Sequence, residues 1–161
     1  MRLMFLLALA VTAAAQFPIS IGVKGGAVNN KTDHNGVEER MYPATVGPYI
    51  ELSLPFLPTF ETGVMFKRYE YGNISATAYE FPILIKKRFS TPLIKPFLAG
   101  GATIRSLPSL NTTHGGITIA GGITIALLPI KIEPELRYTH WISSNHSPSD
   151  SQTEFLVGIR F

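Results

Sequence analysis

Residues 153–161 of this 161-residue chain, with the sequence TEFLVGIRF, are the most informative about its fold. If this stretch is extended, Phe155, Val157, Ile159 and Phe161 lie on one face and the intervening residues lie on the other. Chain ends usually fray, whereas a closed barrel in a bilayer needs its last strand to seal the edge of the sheet. The stretch therefore predicts the closing strand of a membrane barrel.

The start of the chain has the pattern of an export signal: a basic residue, a short apolar run and then small residues. This pattern predicts cleavage between Ala15 and Gln16. We therefore expect a signal peptide at residues 1–15 and one outer-membrane β-barrel domain at residues 16–161. The apolar run is shorter than the roughly 20 residues that a membrane-spanning helix needs.

Alternation of apolar and polar residues recurs eight times after the signal, which predicts eight strands. The approximate strands are 17–28, 43–54, 59–70, 76–88, 95–105, 116–127, 130–141 and 152–161. Their lengths are close to the 9–11 residues with which a tilted strand crosses a bilayer, and exceed the usual five or six of globular strands. The fold class predicted is all-β, an eight-stranded antiparallel up-and-down transmembrane β-barrel.

The predicted connections alternate between tight turns and longer polar segments. The tight turns are at 55–58, 90–92 and 128–129, and the longer segments are at 29–42, 71–75, 106–115 and 142–151. Short turns on one rim and long loops on the other are typical of outer-membrane barrels.

One face of each predicted strand is apolar, and the other face carries charged residues and glycines. The charged face has seven basic and six acidic residues: Lys24, Lys67, Lys86, Arg105, Lys131, Arg137, Arg160, Glu51, Glu61, Glu80, Glu133, Glu135 and Glu154. Its glycines are Gly22, Gly26, Gly47, Gly63, Gly101, Gly122 and Gly158. A soluble barrel would turn the apolar face inward, whereas a membrane barrel would turn it outward.

The glycines and the charge balance favour the membrane arrangement. Glycine weakens a strand that faces water, but a narrow lumen needs small residues beside long ones. Nearly equal numbers of acids and bases allow enclosed charges to pair. We therefore predict a lumen that is plugged by ion pairs and is not a wide pore. The predicted network comprises Lys24, Glu51, Glu61, Lys67, Glu80, Lys86, Arg105, Glu133, Glu135, Arg137, Glu154 and Arg160.

Two further features concern the strand ends. The basic run at residues 86–88 is interpreted as a strand end near a turn. Eight aromatic residues lie toward predicted strand ends, where membrane barrels carry interfacial girdles: Phe60, Phe66, Phe81, Phe89, Tyr138, Trp141, Phe155 and Phe161.

With these residues in hand, the chain resembles the small bacterial outer-membrane β-barrel family of the OmpA/OmpX kind. The more specific segments are 132–141 (IEPELRYTHW) and 155–161 (FLVGIRF). The resemblance implies localisation in the bacterial outer membrane, contact with outer-membrane lipid and a monomeric state. It also implies that periplasmic chaperones and the barrel assembly machinery act during biogenesis.

The assembly machinery of this family recognises alternate hydrophobic residues and a final Phe. Phe155, Val157, Ile159 and Phe161 match those positions. Members of the family share no activity. The resemblance therefore implies a structural role or a binding role exercised through the loops.

Two alternatives stay open. A soluble lipocalin-like binding barrel would have the same alternation, although the chain has no cysteine and lacks the early tryptophan motif of that family. Some outer-membrane barrels that resemble this one are lipid A deacylases, with a His-x-Ser-Asn motif and a downstream Glu. His140 and Glu154 match in part, but position 142 is Ile, and Ser143, Ser144 and Asn145 do not restore the motif.

No catalytic, metal or cofactor site is predicted. Alternation places His140 on the lipid face and Glu154 on the lumen face, whereas a catalytic triad requires hydrogen-bond contact between its members. His34, His114 and His146 occur singly, without the spacing of a metal site. A net charge of +3 is too small to predict a nucleic-acid surface.

Overall fold

The computed structural model describes residues 18–31, 33–34, 37–38, 44–54, 56–71, 74–91, 94–108, 111–127, 129–142 and 151–161. The predicted signal peptide and its cleavage site at Ala15 and Gln16 lie outside these residues and stay predictions. Among the described residues, no helix is long and apolar enough to span a membrane.

Eleven strands are assigned within the described residues. They are β1 (Ile19–Lys31), β2 (Asp33–His34), β3 (Val37–Glu38), β4 (Ala44–Leu52), β5 (Thr59–Gly63), β6 (Met65–Tyr71), β7 (Ile74–Arg88), β8 (Ile94–Leu107), β9 (Thr112–Leu127), β10 (Ile130–Ile142) and β11 (Ser151–Arg160). β2 and β3 pair only with each other, as a small hairpin. β5 and β6 are two parts of one strand interrupted at Val64, so the described chain contributes eight strands to the barrel.

The sheet closes on itself because the first strand pairs with the last. β1 pairs antiparallel with both β4 and β11, so that Lys24 lies between Gly47 on one side and Gly158 on the other. The other barrel strands pair antiparallel with their neighbours in sequence. Closure leaves no open sheet edge between the first and last strands. The prediction of an all-β, eight-stranded antiparallel barrel is confirmed.

The pairing registers keep each strand's faces constant over the described residues. In the β10–β11 pair the register is the same from Lys131 opposite Arg160 to His140 opposite Ser151. Even at the interruption in the third barrel strand, the Val64 amide donates to the Pro48 carbonyl at 3.0 Å. A slip of one residue would move every following side chain to the opposite face, so constant register fixes which residues enter the lumen.

The two faces have the polarity of a membrane barrel. β4 and β11 alternate residue by residue between exposed and buried positions. Ile119 is 60% exposed on the outside, whereas Lys24 and Glu133 are fully buried inside. A continuous apolar exterior of this kind is rare on soluble proteins but suits hydrocarbon. The predicted orientation, with apolar side chains outward and charged side chains inward, is observed.

Tight connections gather at one end of the barrel, called here the turn end. It contains the connections after β4, β7 and β9, together with Pro18 and Phe161. The Phe161 amide donates to the Ile21 carbonyl at 3.0 Å, and the Ser53 amide donates to the Pro18 carbonyl at 2.6 Å. These bonds extend closure of the barrel to its rim.

At the opposite end, called the loop end, two connections are shorter than predicted. Only residues 72–73 separate β6 from β7, and only residues 108–111 separate β8 from β9. The prediction of long loops at 71–75 and 106–115 is wrong at these places. The reason is that strand pairing continues further along the chain, to Tyr71 opposite Ile74 and to Leu107 opposite Thr112.

Candidate functional site

The barrel lumen collects the charged side chains of all eight barrel strands. Constant register places alternate residues of each strand inside, so side chains far apart in sequence face one another across the lumen. The twelve residues predicted for the lumen are all buried, with at most 6% exposure: Lys24, Glu51, Glu61, Lys67, Glu80, Lys86, Arg105, Glu133, Glu135, Arg137, Glu154 and Arg160. They divide into three clusters along the barrel.

The mouth cluster lies nearest the turn end and consists of Glu51, Lys86, Arg88, Glu133 and Arg160. Arg88 Nη2 lies 2.7 Å from Glu51 Oε1 and 2.9 Å from Glu133 Oε1. Lys86 Nζ lies 2.7 Å from Glu51 Oε1 and 3.4 Å from Glu133 Oε2. Arg160 bridges the same two carboxylates, with Nη2 3.2 Å from Glu133 Oε1. Each carboxylate therefore contacts three cations.

The central cluster consists of Lys24, Glu61, Glu135 and Arg137. Lys24 Nζ contacts Glu61 and lies 2.7 Å from Glu135 Oε2. Arg137 Nη2 lies 2.7 Å from Glu135 Oε1 and 3.2 Å from Glu61 Oε1. Lys86 also contacts Glu61 and thereby joins the central and mouth clusters.

The loop-side cluster consists of Lys67, Glu80, Arg105, Gln152 and Glu154. Lys67 Nζ lies 2.5 Å from Glu80 Oε2 and 2.7 Å from Glu154 Oε1. Arg105 Nε lies 2.9 Å from Glu80 Oε1, and its guanidinium donates to the Gln152 side-chain oxygen. Three clusters of paired charges thus follow one another along the barrel, from the turn end to the loop end.

Arg88 belongs to this network, although the basic run at residues 86–88 was interpreted only as a strand end near a turn. It is the last residue of β7, and its side chain is 16% exposed. Its even position in β7, shared with Glu80 and Lys86, was the signal that it points inward. Lys131, which was expected on the charged face, forms no ion pair with the described residues.

Three aromatic side chains also lie in the lumen, and sequence reasoning missed their role there. Tyr49, Phe97 and Trp141 are each at most 3% exposed. Their rings lie beside cations, at distances at which a cation–π interaction is favourable. Lys24 Nζ is 4.5 Å from the Tyr49 centroid, Lys86 Nζ is 4.4 Å from the Phe97 centroid, and Arg105 Cζ is 3.9 Å from the Trp141 centroid.

The interfacial position predicted for Trp141 is therefore wrong. Trp141 shares the inward, odd-numbered face of β10 with Glu135 and Arg137, so alternation carries it into the lumen. The other seven aromatics of the predicted girdles are exposed: Phe60, Phe66, Phe81, Phe89, Tyr138, Phe155 and Phe161.

Glycines provide the space that the lumen aromatics occupy. A Cβ atom at Gly22 would lie 2.6 Å from Tyr49 Cε1, and one at Gly122 would lie 2.6 Å from Phe97 Cζ. Contacts this close are not tolerated without movement of the ring or the strand. The glycines expected on the charged face thus lie against aromatic rings as well as near charged side chains.

The residues considered for an enzymatic site do not come together. His140 is exposed on the outer face, whereas Glu154 is 2% exposed in the lumen and pairs with Lys67. Ser143, Ser144 and Asn145 lie outside the described residues. Because β10 and β11 pair in constant register, no bulge in the described strands turns His140 inward.

The described part of the chain contains no group of three or more His, Cys, Asp or Glu side chains arranged to hold a metal ion. His114 lies alone near the start of β9. The side chain of His34 and all of His146 lie outside what the structure describes.

The positions that match the assembly signal lie together on the outer face. Phe155, Val157, Ile159 and Phe161 are between 38% and 72% exposed. The residues between them, including Glu154 and Arg160, point into the lumen. Recognition of this face by assembly machinery stays a prediction.

No protein-family model matches this chain, and no curated protein matches it. The chain is similar in structure to Neisserial surface protein A (NspA), with a TM-score of 0.73, 13% identity, and coverage of 89% of this chain and 96% of that one.

Two other solved structures are similar over comparable lengths. The outer membrane enzyme PagL has a TM-score of 0.54 and 12% identity, with coverage of 88% and 98% of the two chains. The attachment invasion locus protein Ail of Yersinia pestis has a TM-score of 0.53 and 10% identity, with coverage of 88% and 98%. The TM-scores over almost the whole chain show a shared fold, the small eight-stranded barrel of bacterial outer-membrane proteins, and at these low identities they show the fold alone.

Proposed function

We propose that this small outer-membrane barrel serves a structural or binding role at the bacterial outer membrane, with a lumen closed by ion pairs. The observation that carries the proposal is the distribution of polarity: the outside is apolar and the three charge clusters are inside. Burying a charge is tolerated when it is paired, and exposing isoleucine is tolerated when the surroundings are hydrocarbon. Both conditions are met in a bilayer.

Cell fractionation tests the location. We expect extraction only with detergent, and faster gel mobility of the unheated protein than of the heated one, because closed barrels resist dodecyl sulfate until they are heated. Recovery of the protein in the soluble periplasmic fraction would instead support the lipocalin-like alternative.

Binding, in this proposal, is exercised at the loop end. The two loop-end connections that stay long are residues 32–43, which include the β2–β3 hairpin, and residues 143–150. Loops carried by a rigid scaffold are common binding elements. The test is a pull-down from outer-membrane extracts with the intact barrel in detergent.

A variant with residues 32–43 replaced by a short Gly-Ser turn should lose captured ligand. The matched control replaces the turn at 55–58, at the opposite end of the barrel. Equal capture by both variants, or no capture by the intact barrel, would argue against binding through the first loop.

We propose further that the protein has no lipid A deacylase activity, although PagL, one of its structural neighbours, is an outer membrane enzyme. Supporting this, His140 and Glu154 lie on opposite faces of the sheet. Mass spectrometry of lipid A should give identical acylation patterns with and without the protein. Loss of an acyl chain that depends on His140 would contradict the proposal.

The proposal includes a monomeric barrel that contacts outer-membrane lipid. Closure of β1 on β11 uses both sheet edges, which removes the backbone donors and acceptors that edge-to-edge association needs. Light scattering of the detergent complex should give the mass of one chain plus bound detergent. A dimer mass would contradict this part of the proposal.

A further inference from the structure

The turn end of the barrel contains a cavity that the network does not fill. Its volume is about 750 Å³, within the range of about 300–1,000 Å³ that small-molecule sites occupy. Residues from seven barrel strands and from the turn after β4 line it. The polar ones that bear on its chemistry are Ser20, Thr59, Arg88, Lys95, Lys131 and Arg160.

The lining is strongly cationic. Arg88, Lys95, Lys131 and Arg160 line the cavity, and no acidic residue of the described chain does. The nearest carboxylates of the network, Glu51 and Glu133, belong to the mouth cluster and each already contacts three cations. These two carboxylates neutralise part of the charge of Lys86, Arg88 and Arg160, so the region around the cavity keeps a net positive charge.

Two of these cations are left without an anionic partner. Lys95 and Lys131 form no ion pair within 4 Å with the residues that the structure describes. Arg88 and Arg160 pair with Glu51 and Glu133, so the two lysines add positive charge that the carboxylates of the described chain do not neutralise. Mutual repulsion among basic groups is relieved when an anion enters the cavity.

A buried donor on the cavity wall also lacks an acceptor. Arg160 is 5% exposed, its Nη atoms are used by Glu51 and Glu133, and its Nε has no hydrogen-bond partner in the described chain. A buried guanidinium N–H without a partner is costly, and guanidinium groups bind oxyanions through paired N–H donors. Arg160 thus adds positive charge beside the cavity, whereas Lys95 and Lys131 are exposed and are the lining cations open to a ligand.

We propose that the turn-end cavity binds an anion of the phosphate class. Lys95 and Lys131 offer two positive charges that no carboxylate of the described chain neutralises, and Ser20 and Thr59 supply hydroxyls for the oxygens of the ligand. In the outer membrane the turn end faces the periplasm, so the source of the phosphate is a soluble periplasmic phosphate compound or the headgroup of an inner-leaflet phospholipid. The site is separate from the loops at the opposite end.

Calorimetric titration of inorganic pyrophosphate into the barrel in maltoside detergent tests the proposal. We expect saturable binding of one pyrophosphate per barrel. The Lys95→Gln/Lys131→Gln variant should weaken this binding by about tenfold or more, a change worth about 1.4 kcal/mol per factor of ten. Because neither lysine is ion-paired, the variant should keep heat-modifiable gel mobility.

Lys87→Gln is the matched control. Lys87 is exposed and points away from the lumen at the same rim, so this substitution removes one positive charge from the same region without touching the cavity. Its affinity for pyrophosphate should equal that of the parent. Equal weakening by Lys87→Gln, or no saturable binding by the parent, would overturn the proposal.

Titration in nanodiscs distinguishes the two sources of phosphate. If soluble compounds are the ligand, pyrophosphate binds equally in phosphatidylcholine and phosphatidylglycerol discs. If the anionic headgroup is the ligand, phosphatidylglycerol discs suppress pyrophosphate binding and the Lys95→Gln/Lys131→Gln variant loses that suppression. Suppression that persists in the double variant would contradict the headgroup source.

Discussion

Substitution of Lys67, a cation of the loop-side cluster, should strongly lower the free energy of unfolding of the barrel. Lys67 is 3% exposed, and its Nζ is the only cation within 4 Å of the Glu154 carboxylate among the described residues, at 2.7 Å. Glu80 keeps Arg105 at 2.9 Å. In Lys67→Met, Glu154 is left buried and unpaired, which should cost about 3–5 kcal/mol of unfolding free energy.

The assay is urea-induced unfolding of the barrel in lipid vesicles, followed by tryptophan fluorescence. Trp141 is the sole tryptophan of the chain and lies against Arg105 of the same cluster, so it reports on this region directly. The control, Lys87→Met, removes an exposed lysine from the outer face and should change stability by about 0.5 kcal/mol or less.

A second substitution, Glu154→Gln, distinguishes two causes of the expected destabilisation: an unpaired buried charge and lost side-chain packing. Glu154→Gln introduced into Lys67→Met removes the unpaired charge and should restore about half of the lost stability or more. If Lys67→Met unfolds at the same urea concentration as the parent, the loop-side cluster is not a buried ion-paired group. If Glu154→Gln restores nothing, the loss arises from packing.

Three further outcomes are expected. Gly122→Ala should destabilise the barrel by about 1–3 kcal/mol, because the new Cβ would lie 2.3 Å from the Pro134 carbonyl oxygen. Gly100→Ala should be tolerated, because the nearest atom to its new Cβ is 3.8 Å away, and equal stability of the two variants would contradict this reasoning. In planar bilayers the barrel should give no open-pore current steps, and frequent large steps would show that the ion pairs do not close the lumen. Deletion of Phe161 should reduce the yield of heat-modifiable barrel far more than trimming of residues 29–42, and equal yields would count against the assembly signal.

Most of the fold could be predicted because strand alternation is a local property. The alternation in residues 153–161 predicts which side chains share a face, and β11 has that alternation along its length. Small glycines and balanced charges on one face also indicate that this face is enclosed. These signals depend on residues that are neighbours in sequence.

The partners inside the lumen could not be predicted in the same way. Lys24 pairs with Glu61 and Glu135, which are 37 and 111 residues away. Alternation predicts only that each of these side chains points inward. Which ones meet depends on how far neighbouring strands are shifted relative to one another when the sheet closes. Arg88 and Trp141 differ in this respect, because alternation already places both on the inward face and only their positions near strand ends suggested an interface.

Eight strands, and the residues that share each strand face, could be predicted from the amino-acid sequence, because side-chain direction along a strand follows from backbone geometry alone. The closed sheet shows that the apolar face is outside, which charges pair, that the rings of Tyr49, Phe97 and Trp141 lie beside cations, and that Lys95 and Lys131 have no ion-pair partner among the described residues. Those outcomes depend on the stagger of closed strands, and therefore on distances that no single strand contains.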